Sequence, residues 1–322
     1  MKVFRGFNHP DRAAQCALTI GNFDGVHRGH QAMLALLKNE AAHRGVPSCV
    51  MTFEPHPRDF FAKVHNKPEL APARIATLRD KLLELERCGI DQVVVLPFDE
   101  RLASQTPEDF IQGVLVQGLG VQYLLVGDDF RFGAKRAGDY AMLDAAGQKL
   151  GFDVARMNSY EVHGLRVSSS AVRDALGRGD MDGVARLLGR PYSISGHVVH
   201  GRKLGRELAA TAKGAGDGFR TLNLRFSHWK PAASGIFVVQ VHGLADQPLK
   251  GVANLGIRPM IEPPVELLET WLMDWQGDLY GQTLDVQLVA YLRPEMKLDG
   301  LDALKAQIAA DATTARRMLK GG

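Results

Sequence analysis

Cysteine is scarce and poorly spaced for pairing: Cys16, Cys49 and Cys88 are the only three in 322 residues. They form neither a Cys-x-x-Cys pair nor an even set, which excludes a disulfide framework and a cysteine-based metal site. Buried, reduced thiols are expected. No apolar run approaches the roughly 20 residues of a membrane span. The first fifteen residues carry Lys2, Arg5, Asp11 and Arg12 and no apolar core of signal-peptide length, so a cytoplasmic chain without membrane contact is expected. Neither sign of charge dominates. The formal net charge is +3, and Lys and Arg are scattered rather than clustered, which gives no case for a nucleic-acid partner. There is no internal repeat, no feature that supports an oligomer, and a single low-complexity stretch, rich in Ala and Gly from Ala209 to Gly218, that reads as a mobile loop.

What is present is a chain long enough for two domains, since single cores rarely grow past about 250 to 300 residues. Hydrophobic residues at 45% and charged residues at 23% are ordinary for a globular protein that folds throughout. The first half alternates apolar runs with amphipathic stretches. Strands are predicted at 17–20, 48–53, 92–96, 123–126 and 153–157, and helices from His30, over 74–87, from Pro107 and over 140–150. This alternation implies a parallel sheet covered by helices, with ligands beyond the carboxyl ends of its strands. Two short helices, 170–178 and 181–188, precede Gly189-Arg190-Pro191-Tyr192, where the pattern changes, so domains of 1–188 and 189–322 are predicted. Beyond it, strands at 194–200, 235–242, 251–257, 267–273 and 284–292 and one helix at 301–319 suggest a small antiparallel barrel with a terminal helix.

The segment Ile20-Gly21-Asn22-Phe23-Asp24-Gly25-Val26-His27-Arg28-Gly29-His30 runs from a strand into a helix. Its glycines allow close backbone approach, and the helix start offers unpaired N–H groups and partial positive charge to a phosphate. Gly21, Asn22 and Asp24 are candidate nucleotide contacts. His27 and His30, three apart, can face the same anion and donate to it as charge develops. The alternative is a glycine-rich turn in which the histidines only cap the helix. A metal site is disfavoured, because no Cys or carboxylate cluster completes a ligand set.

With that motif in place, the chain resembles the bacterial bifunctional riboflavin kinase and FAD synthetase family. Further blocks follow in the family's order: Thr52-Phe53-Glu54-Pro55-His56-Pro57, Val126-Gly127-Asp128-Asp129-Phe130-Arg131-Phe132-Gly133, and Arg166-Val167-Ser168-Ser169-Ser170-Ala171-Val172-Arg173. The resemblance implies a Rossmann-like nucleotidyltransferase domain that transfers AMP from ATP to FMN. It implies that Asp129 helps hold Mg²⁺, and that Arg166, Ser169, Ser170 and Arg173 hold phosphates. Phe53, Pro55, Pro57, Phe130 and Phe132 are candidates to wall the flavin ring, although aromatics beside strands also serve simply as core.

The second half resembles the riboflavin kinase barrel from Ser195-Gly196-His197-Val198-Val199-His200-Gly201 onward. Relative to the family pattern, this chain inserts Ala209 to Asp217, and Arg220 replaces a proline in Gly218-Phe219-Arg220-Thr221-Leu222-Asn223. The resemblance assigns Thr221 and Asn223 to Mg²⁺ and ATP phosphates, Glu269 to the catalytic carboxylate and Arg293 to flavin or nucleotide. Met260 and Trp271 stand where Thr and His are usual. The expected activity is phosphorylation of riboflavin to FMN followed by adenylylation to FAD. The alternative is a monofunctional FMN adenylyltransferase with an inactive flavin-binding barrel.

Overall fold

The structure is a computed structural model of the chain. It describes residues 1–162, 164–199, 220–226, 230–258, 265–273, 275, 281–296 and 300–319. The insertion at 209–217 and Met260 lie outside the described residues. The chain divides into two compact units, Met1–Pro72 with Leu78–Ser169, and Ala73–Thr77 with Ser170–Gly322.

The first unit is built on a parallel sheet of six strands: β1 (Lys2–Arg5), β2 (Cys16–Ile20), β3 (Ser48–Glu54), β4 (Gln92–Pro97), β5 (Val121–Gly127) and β6 (Asp153–Met157). Their order is β1-β4-β3-β2-β5-β6. Strand β2 is buried along its whole length, as a strand covered on both faces must be. Its side chains alternate between two cores: Leu18 and Ile20 join Met51, Val94, Leu124 and Phe132, while Ala17 joins Leu34, Val50, Val93 and Leu125. Strand β1 was not predicted. It is an edge strand that buries only Phe4, so it has no apolar alternation to read.

The helices of this unit are α1 (Arg28–Arg44), α2 (Pro57–Val64), α3 (Leu78–Arg87), α4 (Glu100–Ala103), α5 (Pro107–Asp109) and α6 (Tyr140–Leu150). The helix predicted from Pro107 continues after α5 as a π-helix over Phe110–Gly118. Helix α3 starts later than the predicted residue 74. Ala73–Thr77 belongs to the second unit, where Arg74 accepts from Ala232 at 2.9 Å and donates its own N–H to Lys230, an extended pairing that excludes helix. A short hairpin, β7 (Glu161–Val162) and β8 (Leu165–Arg166), leads to α7 (Ser169–Gly177), and α8 (Met181–Leu188) follows.

The second unit contains a closed antiparallel barrel of β9 (Tyr192–Val199), β10 (Arg220–Phe226), β11 (Gly235–His242), β12 (Leu249–Arg258), β13 (Val265–Leu272) and β14 (Thr283–Arg293), followed by α9 (Leu301–Met318). Leu222, Leu224, Phe237, Ala253, Leu255, Leu268, Leu272 and Val286 fill the interior. Ala312 and Ala315 of α9 pack with Ile236, Val238 and Val252 on the outside. Strand β10 was missed because only Leu222 and Leu224 mark its inner face. None of the three cysteines is in a disulfide; Cys16 and Cys49 are buried, and hydrogen bonding to Cys16 together with burial pushes the Cys49 thiol up. Among the described residues no helix is long and apolar enough to cross a membrane.

Candidate active site

In the sheet, β3 and β4 lie to one side of β2 and β5 and β6 to the other, so the connections diverge between β2 and β5. A crevice at such a divergence, beyond the carboxyl ends, is the usual ligand position. A cavity of about 890 Å³ opens there, lined by the segments that leave β2, β3, β4, β5 and β6.

The segment leaving β2 enters α1 through His27. Its Nδ1 accepts the backbone N–H of His30 at 3.3 Å and so caps the helix. Accepting at Nδ1 requires the proton of a neutral His27 to sit on Nε2. The two imidazoles stack, centroids 3.7 Å apart and planes 15° from parallel. Burial, then the neighbouring His27 and Lys81, hold the His30 imidazole well below its ordinary 6.5, so His30 is neutral at physiological pH. A side chain at Gly29 would meet the His27 ring at 3.2 Å, which explains glycine between the histidines. Two polar atoms facing this cavity, Asn22 Oδ1 and His30 Nδ1, are buried without a hydrogen-bond partner among the described residues. Buried polar atoms are normally satisfied, so both suit a hydrogen bond with a bound ligand.

Beneath this loop the ammonium of Lys81, 1% exposed, reaches from α3 to donate to Thr52 Oγ1 at 3.2 Å. Thr52 in turn donates to the carbonyl of Asn22 at 3.4 Å. The chain from α3 through β3 to the loop fixes the Asn22 backbone. Ser169 Oγ donates to the carbonyl of Asp24 at 3.1 Å and ties the start of α7 to the same loop.

Also on the cavity wall, Asp128 accepts from the Ser159 hydroxyl at 2.8 Å, and Arg166 lies 3.8 Å from Asp128 and 3.9 Å from Asp129. The Ser159 hydrogen bond and the Arg166 guanidinium hold the Asp128 carboxyl below the usual range, although burial opposes them. Aromatic rings also line the cavity. Phe53, Phe60 and Phe61 surround Phe98 with centroids 5.5 to 5.8 Å away, and Phe130 stacks on Phe132 at 5.8 Å.

Of the residues singled out in the sequence, the cavity gathers Gly21, Asn22, His27 and His30, then Phe53, Pro57, Asp129, Phe130 and Phe132, then Arg166 and Ser169. Asp24 is buried beside it rather than lining it, and Pro55 is exposed outside it. Ser170 and Arg173 belong to the second unit, where Arg173 Nε donates to the carbonyl of Ala73 at 2.6 Å. Asp128, Ser159, Lys81, Phe98, Lys135 and Arg136 were not singled out. Only Asp128 had a signal, as the first of two consecutive carboxylates in a matched block.

In the barrel, Asn223 of β10 and Asn254 of β12 both stand directly opposite Glu269 of β13, so three polar residues form one row across three strands. Their neighbours along the strands, Leu222, Leu224, Leu255 and Leu268, point inward, which puts the row on the outer face. Asn254 Oδ1 is buried with no hydrogen-bond partner among the described residues. Thr221 pairs opposite Trp271, one register step beyond Leu222 and Thr270. The carboxylate of Glu295 lies against Gly256, two residues along β12 from Asn254. Arg293 makes a two-pronged pair with Asp311 of α9, at 3.1 and 2.7 Å, and Gln307 also donates to that carboxylate at 3.0 Å.

Residues 9–171 match the family model for FAD synthetase, and residues 188–319 match the model for riboflavin kinase. The chain belongs to the bifunctional riboflavin kinase/FMN adenylyltransferase family. It is 45% identical to the bifunctional riboflavin kinase/FMN adenylyltransferase of Escherichia coli (strain K12), over 98% of this chain and 97% of that one. The protein of the same description from Pseudomonas fluorescens is 44% identical over 99% and 98% of the two chains. A crystal structure of a protein described as a macrolide-efflux protein from Streptococcus pneumoniae superposes with a TM-score of 0.76 over 98% of this chain and 99% of that one. At 24% identity it is similar in fold alone. The family's two activities thus correspond to the two halves, with sheet and histidine pair in one and the barrel with its Asn223–Glu269–Asn254 row in the other.

Proposed function

We propose that the two activities of this family are carried at two separate sites of this chain: FMN adenylylation in the sheet cavity and riboflavin phosphorylation on the barrel row. The observation that carries the first assignment is the stacked His27–His30 pair at the helix start, which shares one cavity with Arg166, the Asp128–Asp129 carboxylates and a set of aromatic rings. Nucleotide phosphates fit the polar groups and a flavin ring the aromatic ones.

In adenylyl transfer an oxygen of the FMN phosphate bonds to the α-phosphorus of ATP, and the bond to pyrophosphate breaks. His27 donates through Nε2 to the phosphate that gains charge, with its orientation fixed by the cap at Nδ1. The neutral, buried His30 backs it. Arg166 pairs with phosphate oxygens, and Ser169 serves the same anion at the start of α7. Two carboxylates beside a phosphate site suit Mg²⁺, which is commonly held by one or two carboxylates plus substrate phosphates rather than a full protein cage. Among the described residues no group of three or more ligands forms such a cage. Asp128 and Asp129 would hold the ion, which neutralises phosphate charge when bound.

In the kinase half, Glu269 accepts the proton of the ribityl hydroxyl as that oxygen bonds to the γ-phosphorus of ATP and ADP leaves. Asn223 and Thr221 serve the nucleotide and its Mg²⁺. Arg293, held by Asp311, is a flavin or nucleotide contact that needs no ordering on binding. Buried thiols without a disulfide and reliance on ATP support a cytoplasmic enzyme.

The test is a time course. Full-length protein is incubated with riboflavin and Mg-ATP, and the flavins are separated. FMN rising first and FAD following is the expected result. FAD from added FMN with none from riboflavin would leave an adenylyltransferase with a silent barrel. Recovery of FMN formation on deleting residues 209–217 would then assign that silence to the insertion.

A further inference from the structure

The cavity wall carries five cationic side chains, Arg58, Arg131, Lys135, Arg136 and Arg166, against two carboxylates, Asp128 and Asp129. Two of these cations are engaged within the protein: Arg131 pairs with Asp139 at 3.1 Å, and Arg166 sits by Asp128 and Asp129. Lys135 and Arg136 are different. Both are exposed, both line the cavity, and neither has an ion pair among the described residues.

Their backbone sets them apart from Arg58, the remaining cation. Lys135 and Arg136 are consecutive left-handed residues, φ 55° and 58°. A residue with a Cβ is disfavoured there and persists only where its surroundings over-determine it. Here they do. Phe132 and Gly138 exchange backbone hydrogen bonds in both directions, at 3.2 and 2.9 Å, and close the neck of the loop. Ala134 donates to the carbonyl of Gln105 at 2.7 Å and Arg136 to that of Gly133 at 3.0 Å. A methyl group on Gly138 would meet the Phe132 ring at 2.6 Å, so the neck closes on glycine. The Arg131–Asp139 pair ties the chain just outside it. Of the five non-glycine residues with positive φ among the described residues, four (Phe23, Val26, Lys135 and Arg136) lie in the two loops that bound this cavity. Such clustering is typical of functional sites.

The loop is therefore a braced hairpin that offers two adjacent cations on the same cavity-lining segment as Phe130 and Phe132. We propose that Lys135 and Arg136 receive the phosphate monoester of the flavin acceptor, and so select phosphorylated over unphosphorylated flavin at this site. This rests on reading the cavity as the adenylyl-transfer site. The transfer brings a second phosphate anion up to the nucleotide, and on that reading Arg166 and the histidines are already taken by the nucleotide phosphates. A guanidinium fork beside an ammonium point charge suits a terminal phosphate, and bracing removes the cost of ordering them when substrate binds.

The test uses full-length Lys135→Ala, Arg136→Ala and the double variant, assayed for FAD synthesis, riboflavin phosphorylation and thermal midpoint. The expected result is a rise in KM for FMN of about ten- to a hundredfold, the usual effect of losing a hydrogen bond to a charged group. KM for ATP and the kinase activity should be unchanged. Lys135→Arg should recover most of the loss. A rise in KM for ATP instead, or no change in any parameter, overturns the proposal. Lys135→Gly relieves the strain while removing the charge, so it should melt higher than Lys135→Ala with the same defect. If it restores KM for FMN, loop shape rather than charge is responsible and the proposal fails. His27→Ala is run alongside. If it too leaves FAD synthesis intact, the reading of the cavity fails and this proposal with it; if it abolishes FAD synthesis while the loop variants are silent, this proposal alone fails.

Discussion

Nδ1 of His27 accepts the backbone N–H of His30 at 3.3 Å while the two rings stack 3.7 Å apart. One imidazole thus both caps helix α1 and faces the cavity, and substitution separates the two roles. His27→Asn keeps a side-chain oxygen for the cap and loses the ring. It should melt close to the unaltered protein, whereas His27→Ala should lose about 0.5 to 2 kcal/mol of stability. FAD synthesis should fall about 100- to 1,000-fold in both, as for loss of one preorganised donor, and riboflavin phosphorylation should persist. Calorimetry with the two assays decides it, and full activity in His27→Asn would reduce the residue to a cap.

The environment of His30 makes stability depend on pH with a definite sign. Burial holds the folded-state imidazole well below 6.5, while in the unfolded chain it takes up a proton near that value. The unfolded state therefore binds more protons in the acid range. The stability contributed by His30 is fully present above about pH 6.5 and is lost as pH falls below it. Urea midpoints measured downward from neutral pH should drop, and they should drop less in His30→Gln. Identical slopes in the two proteins would show that this imidazole is not held neutral.

Ser159 and Arg166 keep Asp128 ionised below its ordinary range, with the hydroxyl the larger influence. Ser159→Ala should therefore raise the Asp128 pKa, which a carboxyl-carbon NMR titration reads directly. Asp128→Asn and Asp129→Asn should each raise the Mg²⁺ concentration needed for half-maximal FAD synthesis and leave that of the kinase unchanged. An unchanged Mg²⁺ requirement in both variants would remove this pair from the metal.

Much of the architecture was legible because it is written locally. Strands β2 to β5 are apolar runs buried on both faces, α6 is bracketed by Asp139 and Gly151, and the barrel strands carry inward Leu, Val and Ala at every second position. What escaped depends on partners distant in sequence. The start of α3 shifted because Arg74 pairs with Lys230 and Ala232, more than 150 residues away, an association no local propensity reports. Lys81 reads as an ordinary helix-surface lysine until its bond to Thr52 is seen. Ser159 gains meaning only from Asp128, 31 residues earlier. Lys135 and Arg136 break the local rule outright, since nothing in Ala-Lys-Arg-Ala signals left-handed backbone. In the candidate sites, by contrast, the His27–His30 spacing and the Asp128–Asp129 block were readable, and the strand register aligned Asn223 with Glu269.

Two sites on one chain is the central claim, and a crossed flavin time course tests it most directly. Full-length Glu269→Gln and His30→Ala are each incubated with Mg-ATP and either riboflavin or FMN, and riboflavin, FMN and FAD are separated at intervals. An amide cannot accept the ribityl hydroxyl proton, so Glu269→Gln should form no FMN from riboflavin yet convert FMN to FAD at the unaltered rate. His30→Ala should do the reverse, accumulating FMN from riboflavin with little FAD. Loss of both conversions in either folded variant, or full retention of riboflavin phosphorylation in Glu269→Gln, would contradict the account.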